Sequence, residues 1–221
     1  GECGTTAHSP GRTGLPLAEN RWQHPTEGVS GATDLMNRSN PTRLAVVIGT
    51  RPEAIKLMPV IAAARERPER FRTTVIVTGQ HREMLAETLR SVEIEPDFDL
   101  DIMEHDQDLA QVTTRALSQL YPLLGRLSPD CVVVQGDTTT TFVGALAAFY
   151  HHIPIAHVEA GLRTHDKFQP FPEEANRRLT AQVTDFHFAP TQTARENLLL
   201  EGIDDRSIWV TGNTSIDALF L

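Results

Sequence analysis

The chain is expected to fold as an α/β domain with a doubly wound, Rossmann-like parallel sheet. Three observations carry that expectation. From Leu44 onward, short apolar runs alternate with longer segments of helical period, and repeated alternation of this kind builds a parallel sheet with helices on both faces. The runs are almost free of polar residues, as in Leu44-Ala-Val-Val-Ile48 and Cys131-Val-Val-Val134, which suits strands buried on both sides. Nearly every junction from run to helical segment holds a glycine with a hydroxyl or a charge. In open α/β sheets, ligands sit where such junctions gather, beyond the C-terminal ends of the strands.

Taken in order, residues 1–43 are rich in Gly, Pro, Ser, Thr and Asn and show no periodicity, so a disordered tail is expected. Met36 stands shortly before the first apolar run, and residues 1–35 are read as an upstream extension or expression remnant. The body is assigned to residues 44–221. Leu44–Ile48 forms the first strand, followed by a helix from about Glu53; Thr74–Val77 precedes a helix from about His81. An acidic stretch from Asp97 to Asp108 leads to a helix ending near Leu127, and Cys131–Val134 leads to a helix over Thr138–Tyr150. Ile155–Val158 is followed by a loop and a helix from Pro172, Phe186–Ala189 by a helix from Thr191, and Ile208–Val210 by Ser215–Leu221.

Composition narrows the function. Of 221 residues, 40% are hydrophobic and 22% charged, values of an ordinary soluble globular protein. No run approaches the ~18 apolar residues of a spanning helix, and no secretory apolar core opens the chain. The net charge of −9 sits entirely in residues 44–221, since the four acids and four bases of 1–43 cancel. An acidic body argues against general nucleic-acid binding, although a local cluster of Arg and helix N-termini can still hold a small anion. Cys3 and Cys131 provide neither a disulfide framework nor metal-ligand spacing, and Cys131 reads as a small core residue. A cytoplasmic setting without metal or cofactor is expected. No Gly-x-Gly-x-x-Gly follows the first strand and no Walker A pattern occurs, so neither a dehydrogenase nor a P-loop NTPase is supported.

Four junctions carry chemistry. Gly49-Thr-Arg-Pro-Glu-Ala-Ile-Lys56 opens the first helix with Pro52 near its start. The loop N–H groups, the helix dipole, Arg51 and Lys56 together make an anion site, or else a capped helix with two solvated cations. Gln135-Gly-Asp137 places a carboxylate at the end of a buried strand, as a functional group or as an N-cap. Glu159 ends the next strand, where Glu is depleted, and Gly161 frees the turn after it. Pro172-Glu-Glu-Ala-Asn-Arg177 obeys ordinary helix-start grammar, with Glu173 and Arg177 spaced for an i,i+4 pair. What favours function is convergence of three carboxylates and three cations on separate loops at one sheet edge.

These stretches, with Gln80-His-Arg-Glu-Met84, His157-Val-Glu-Ala-Gly-Leu-Arg-Thr164, Gly136-Asp-Thr-Thr-Thr-Thr141 and Gly212-Asn-Thr214, occur in the order typical of non-hydrolysing UDP-N-acetylglucosamine 2-epimerases. The chain resembles that family over about residues 44–221. The resemblance implies interconversion of UDP-GlcNAc and UDP-ManNAc for cell-surface polysaccharide synthesis. It also implies a homodimer, and two Rossmann-like halves arranged as in a GT-B glycosyltransferase, of which this chain supplies the N-terminal one. A chain lacking the second half, with its catalytic histidine and most uridine contacts, is expected to be inactive alone.

By position, Asp137, Glu159, Glu173 and Arg177 match the family's catalytic set, and Arg51 and Lys56 its substrate contacts. The implied route loses UDP from carbon 1 by anti elimination to 2-acetamidoglucal, then adds it back with the proton delivered to the other face. Oxocarbenium character in that step asks for nearby carboxylates, and the departed diphosphate must be held by cations. A second, regulatory UDP-GlcNAc site in some members uses residues matching Gln80 and His81 and an Arg-Gln pair; the latter is Asp106-Gln107 here, so a cation is replaced by an acid. His165 stands where the family usually has Gly, and Gln169 where Ser is common. The rival readings are a hydrolysing epimerase that releases ManNAc and a non-catalytic sugar-nucleotide-binding module.

Overall fold

β-Branched runs without a polar face have nowhere to go but the middle of a sheet covered on both sides. The computed structural model, which describes residues 40–79, 87, 89, 94–102, 104 and 106–220, places them there. Seven parallel strands stand in the order β3-β2-β1-β4-β5-β6-β7: β1 (Thr42–Ile48), β2 (Phe71–Val77), β3 (Phe98–Asp99), β4 (Cys131–Gln135), β5 (Ile155–Val158), β6 (Phe186–Ala189) and β7 (Ile208–Val210). The helices are α1 (Arg51–Arg65), α2 (Leu109–Leu127), α3 (Thr139–Tyr150), α4 (Glu173–Val183), α5 (Gln192–Leu200) and the short α6 (Thr214–Asp217). Residues 1–39, which hold most of the expected tail and Met36, lie outside the described residues, as do Gln80, His81 and most of the expected helix after them.

Alternation along each strand sorts its side chains to two cores. Ala45, Val47, Val132 and Val134 pack with Val112, Ala116 and Leu120 of α2 and Val143 and Ala147 of α3. Their neighbours Val46, Ile48, Cys131 and Val133 face Ala54, Leu57, Met58 and Ile61 of α1 on the other side. Each fully buried Val, Leu or Ile contributes ~1.5–3 kcal/mol, so a one-residue slip of a central strand is heavily disfavoured. Cys131 is a core residue as expected, and burial pushes its thiol up to about 12.

Several boundaries differ from expectation, β2 beginning at Phe71 and the last helix covering Thr214–Asp217. β1 begins at Thr42, paired with Phe71, because the backbone and guanidinium of Arg43 bind Asp130 at 2.9 and 3.1 Å. Polar Thr42 and Arg43 conceal that tie in the sequence. The acidic stretch contains β3, a two-residue edge strand recruited by backbone pairing of Ile76 with Phe98. Among the described residues, no helix is long and apolar enough to cross a membrane.

The chain runs outward from β1 to β3 on one side and from β4 to β7 on the other. The direction reverses between β1 and β4, and the loops leaving these two strands diverge to opposite faces. A crevice opens at such a point. Register then brings the next loop alongside, since Gln135 lies level with Val158 and puts Gly136-Asp137 beside Glu159.

Candidate functional site

A cleft of about 220 Å³ occupies that reversal point, lined by Thr50, Pro52, Glu53, Lys56, Gln135, Gly136, Asp137, Thr138, Glu159 and Leu162. Four elements contribute, each for a local reason. The N-cap of α3 is Thr138, whose Oγ1 accepts from the Thr141 backbone N–H at 3.2 Å. Capping therefore does not occupy Asp137, and its carboxylate is available to the cleft. Gly136, with φ +73°, turns the chain there.

Asp137 is fixed by α4. Arg177 donates to its carboxylate, and Asn176 Nδ2 donates to its backbone carbonyl at 3.0 Å. Arg177 also pairs with Glu174 at 3.3 Å. The i,i+4 pair between Glu173 and Arg177 suggested by spacing is not formed: Arg177 reaches across to the sheet edge, because Asp137 offers its carboxylate there. Glu173 stands in the first turn of α4, and its Oε2 is buried without a hydrogen-bond partner among the described residues.

Glu159 adopts φ +66°, a left-handed conformation that a non-glycine residue holds only when its surroundings impose it. Those surroundings are Lys56 Nζ at 2.5 Å, Gln135 Nε2 and, on the other carboxylate oxygen, Asn213 Nδ2 at 3.2 Å. Donors from α1, β4 and the loop before α6 thus converge on one side chain. Beneath the turn, His157 is fully buried and bonds through Nε2 to the Gly136 carbonyl at 2.7 Å. Burial pushes its imidazole down to about 3, so it is a neutral ring donating through Nε2. A side chain on Gly161 would place its Cβ 2.2 Å from the Ala194 carbonyl oxygen at the start of α5, so the turn after Glu159 is packed hard against that helix.

The first loop departs from the anion-site expectation. The Gly49 and Thr50 N–H groups do not await an external anion. Both donate to Glu53 Oε2, the Thr50 bond being 2.6 Å. Arg51 is exposed and does not line the cleft, whereas Lys56 is engaged with Glu159. Gln107 lies away from the cleft, closing a turn before α2 through Ile102 O at 3.1 Å and Glu104 N at 2.8 Å. Gln80 and His81 lie outside the described residues.

Glu53, Gln135, Asn176, Glu174 and Asn213 were not singled out by residue pattern. Glu174 is fully buried and accepts from the Thr164 and His165 N–H groups at 3.1 and 3.3 Å. His165 takes φ +66°, so the loop keeps the left-handed turn that a glycine would favour at this position. Among the described residues, no group of three or more His, Cys, Asp or Glu is arranged to hold a metal ion.

Comparison with known proteins places this arrangement. The sequence model of the family described as UDP-N-acetylglucosamine 2-epimerase matches residues 63–221. The UDP-N-acetylglucosamine 2-epimerase of Bacillus subtilis is 54% identical over 177 residues, covering 80% of this chain and 46% of the relative. The Neisseria meningitidis UDP-GlcNAc 2-epimerase, solved bound to UDP-GlcNAc, superposes with a TM-score of 0.77 at 50% identity, over 81% of this chain and 49% of that one. The Methanocaldococcus jannaschii enzyme, solved with UDP-GlcNAc and UDP, gives 0.76 at 39% identity, over 81% and 49%. The chain spans about half the length of these relatives.

Proposed function

This chain belongs to the UDP-N-acetylglucosamine 2-epimerase family, and on that premise we propose that it supplies the carboxylate-bearing wall of a non-hydrolysing epimerase site interconverting UDP-GlcNAc and UDP-ManNAc. The sugar's carbon 2 is not adjacent to a carbonyl, so its proton is hardly acidic. Loss of UDP from carbon 1 builds positive charge at the ring, acidifies that proton and leads to 2-acetamidoglucal; UDP then returns with the proton delivered to the opposite face. Carboxylates near the ring stabilise the developing charge and move the proton.

The observation that carries this reading is the pair Asp137 and Glu159, side by side at neighbouring strand ends on one cleft. Each is tethered by a cation from a different helix, Arg177 of α4 and Lys56 of α1. In this reading Glu159, held by three donors, is the fixed electrostatic partner of the ring. Asp137 and Glu173 handle protons, Glu173 with an oxygen that no protein group among the described residues claims. Arg177 orients Asp137. Arg51, exposed at the start of α1 and outside the cleft lining, is assigned a substrate contact on the family resemblance alone.

The test is incubation of the full-length protein with UDP-GlcNAc in D2O. The expected product is UDP-ManNAc carrying deuterium at carbon 2, with recovered UDP-GlcNAc labelled at the same carbon. Free ManNAc with released UDP assigns the hydrolysing reaction instead. Absence of any C2 exchange rejects an epimerase.

A further inference from the structure

Glu53 has no part in the chemistry above, yet its carboxylate is only 2% exposed in the cleft wall. Burying a carboxylate is costly unless donors surround it, and this one is surrounded. Gly49 and Thr50 supply backbone N–H groups to Oε2, the Thr138 hydroxyl donates to Oε1, and the Thr141 hydroxyl lies 3.1 Å from Oε1 and shares its single proton with the Gln135 carbonyl at 2.6 Å. The first two belong to the loop leaving β1, the second two to the start of α3 after β4. Glu53 therefore spans the crevice where strand order reverses, the place where an α/β sheet ordinarily receives a ligand's anionic group. The packing is close around it: a Cβ on Gly49 would lie 2.4 Å from Thr140 Oγ1.

Two consequences follow from that geometry. The Gly49 and Thr50 N–H groups of the loop before α1 are spent on an internal carboxylate, Glu53 closing a capping box with the N-cap Thr50. Thr138 directly follows Asp137, and Lys56 lies one helical turn beyond Glu53. Both cleft-facing groups are thereby referred to the same buried anchor. We propose that Glu53 is a positioning residue, a built-in anion that fills the donor cradle at the sheet's reversal point and fixes the Asp137 loop against the helix that carries Lys56. Its effect on turnover rests on the epimerase reading; its role as the cradle's own anion does not.

The experiment uses the full-length protein with Glu53→Ala, Glu53→Gln and Glu53→Asp, and formate as a probe for the vacated carboxylate position. Glu53→Ala is expected to lower kcat about 10- to 100-fold, the usual effect of removing a group that orients reacting residues. KM is expected to stay within about threefold, since no substrate contact is removed. Glu53→Gln keeps one acceptor for Gly49 and Thr50 and turns an amide toward the hydroxyls, so it recovers part of the lost kcat. Formate, and not chloride at equal ionic strength, is expected to raise the thermal midpoint of Glu53→Ala and restore a share of its kcat, leaving wild type unchanged.

Wild-type kcat in Glu53→Ala overturns the proposal, and so does a loss that formate and chloride affect alike. Should Glu53→Ala fail to fold, Glu53→Gln decides: reduced kcat at a midpoint within about 2 °C of wild type supports positioning, and unchanged kcat refutes it. A wild-type protein without epimerase turnover rejects the functional reading alone. The formate-dependent midpoint then still decides whether Glu53 is the cradle's anion.

Discussion

Two glutamates face one cleft from either side of the sheet's reversal point, and they are held by different kinds of donor. Glu53 is ringed by neutral groups, two backbone N–H of the loop leaving β1 and two threonine hydroxyls at the start of α3. Burial pushes its carboxyl above the ordinary value, with the hydrogen bonds from Thr138, Gly49, Thr50 and Thr141 opposing the shift. Glu159 instead meets the ends of long side chains, one cationic and two amide, and rests on a left-handed residue. Backbone donors cannot leave, so the first arrangement suits a permanent anchor. Side-chain donors can be drawn toward a substrate's charge, so the second suits a group whose field must act on a ligand. The difference in donors, more than in burial, separates scaffold from working group.

The largest effect that would break the comparison is on turnover. Glu159→Gln in the full-length protein is expected to lower kcat by ~10²–10⁴ while KM changes little, the range for lost charge stabilisation or proton transfer. Its thermal midpoint should change by less than about 1 kcal/mol in equivalent stability, because Lys56 stays partly hydrated at 27% side-chain exposure and such pairs contribute modestly. Comparable kcat in wild type and variant would remove Glu159 from the working groups of the cleft. Next in size is a stability effect beneath the same turn. Gly161→Ala would set a methyl 2.2 Å from the Ala194 oxygen, at φ +89°. It is expected to cost about 2–4 kcal/mol, read by urea or thermal unfolding. A loss under 1 kcal/mol would show that the start of α5 yields and that the turn is not braced from below.

Much of this was legible in the sequence because the governing pattern is local. Alternating apolar runs and helical segments indicated the order of elements, and a carboxylate ending an apolar strand marked Glu159 on propensity grounds, whereas Asp137 read equally as an N-cap and stood out only by convergence with the other loops. What stayed hidden depends on distant partners. Glu53 looks like an ordinary first-turn acid, and its burial comes from Thr138 and Thr141 on another element. Arg177 carries an i,i+4 signal toward Glu173, but the guanidinium's length lets it prefer Asp137 across the α4–β4 gap. Gln135 ends an apolar strand and Asn213 sits in a loop; uncharged amides at such places carry no periodic signature, and only the sheet's register shows that both reach Glu159. β3 escaped for the same reason, since two exposed residues become a strand only through β2.

The smallest effect concerns what supports the Glu159 turn, and its sign follows from His157. Burial holds this imidazole at about 3 in the folded chain against an ordinary 6.5, with His187, Arg163 and Arg177 pushing the same way and the Gly136 hydrogen bond opposing. Between those values the unfolded chain binds a proton that the folded chain refuses. The contribution to stability is therefore fully present above about pH 6.5 and is lost as pH falls toward 3, by at most ~1.4 kcal/mol per pH unit. His157→Gln removes this titration and keeps an amide able to donate to the Gly136 carbonyl. From pH 7 to 5.5, wild type should lose about 1 kcal/mol more than the variant, or about 2–4 °C in midpoint for a chain of this length. His187, shifted in the same direction, titrates in both proteins and cancels in the difference. Equal pH slopes would mean that His157 accepts a proton without unfolding, and that the Gly136–Glu159 turn tolerates a charge beneath it.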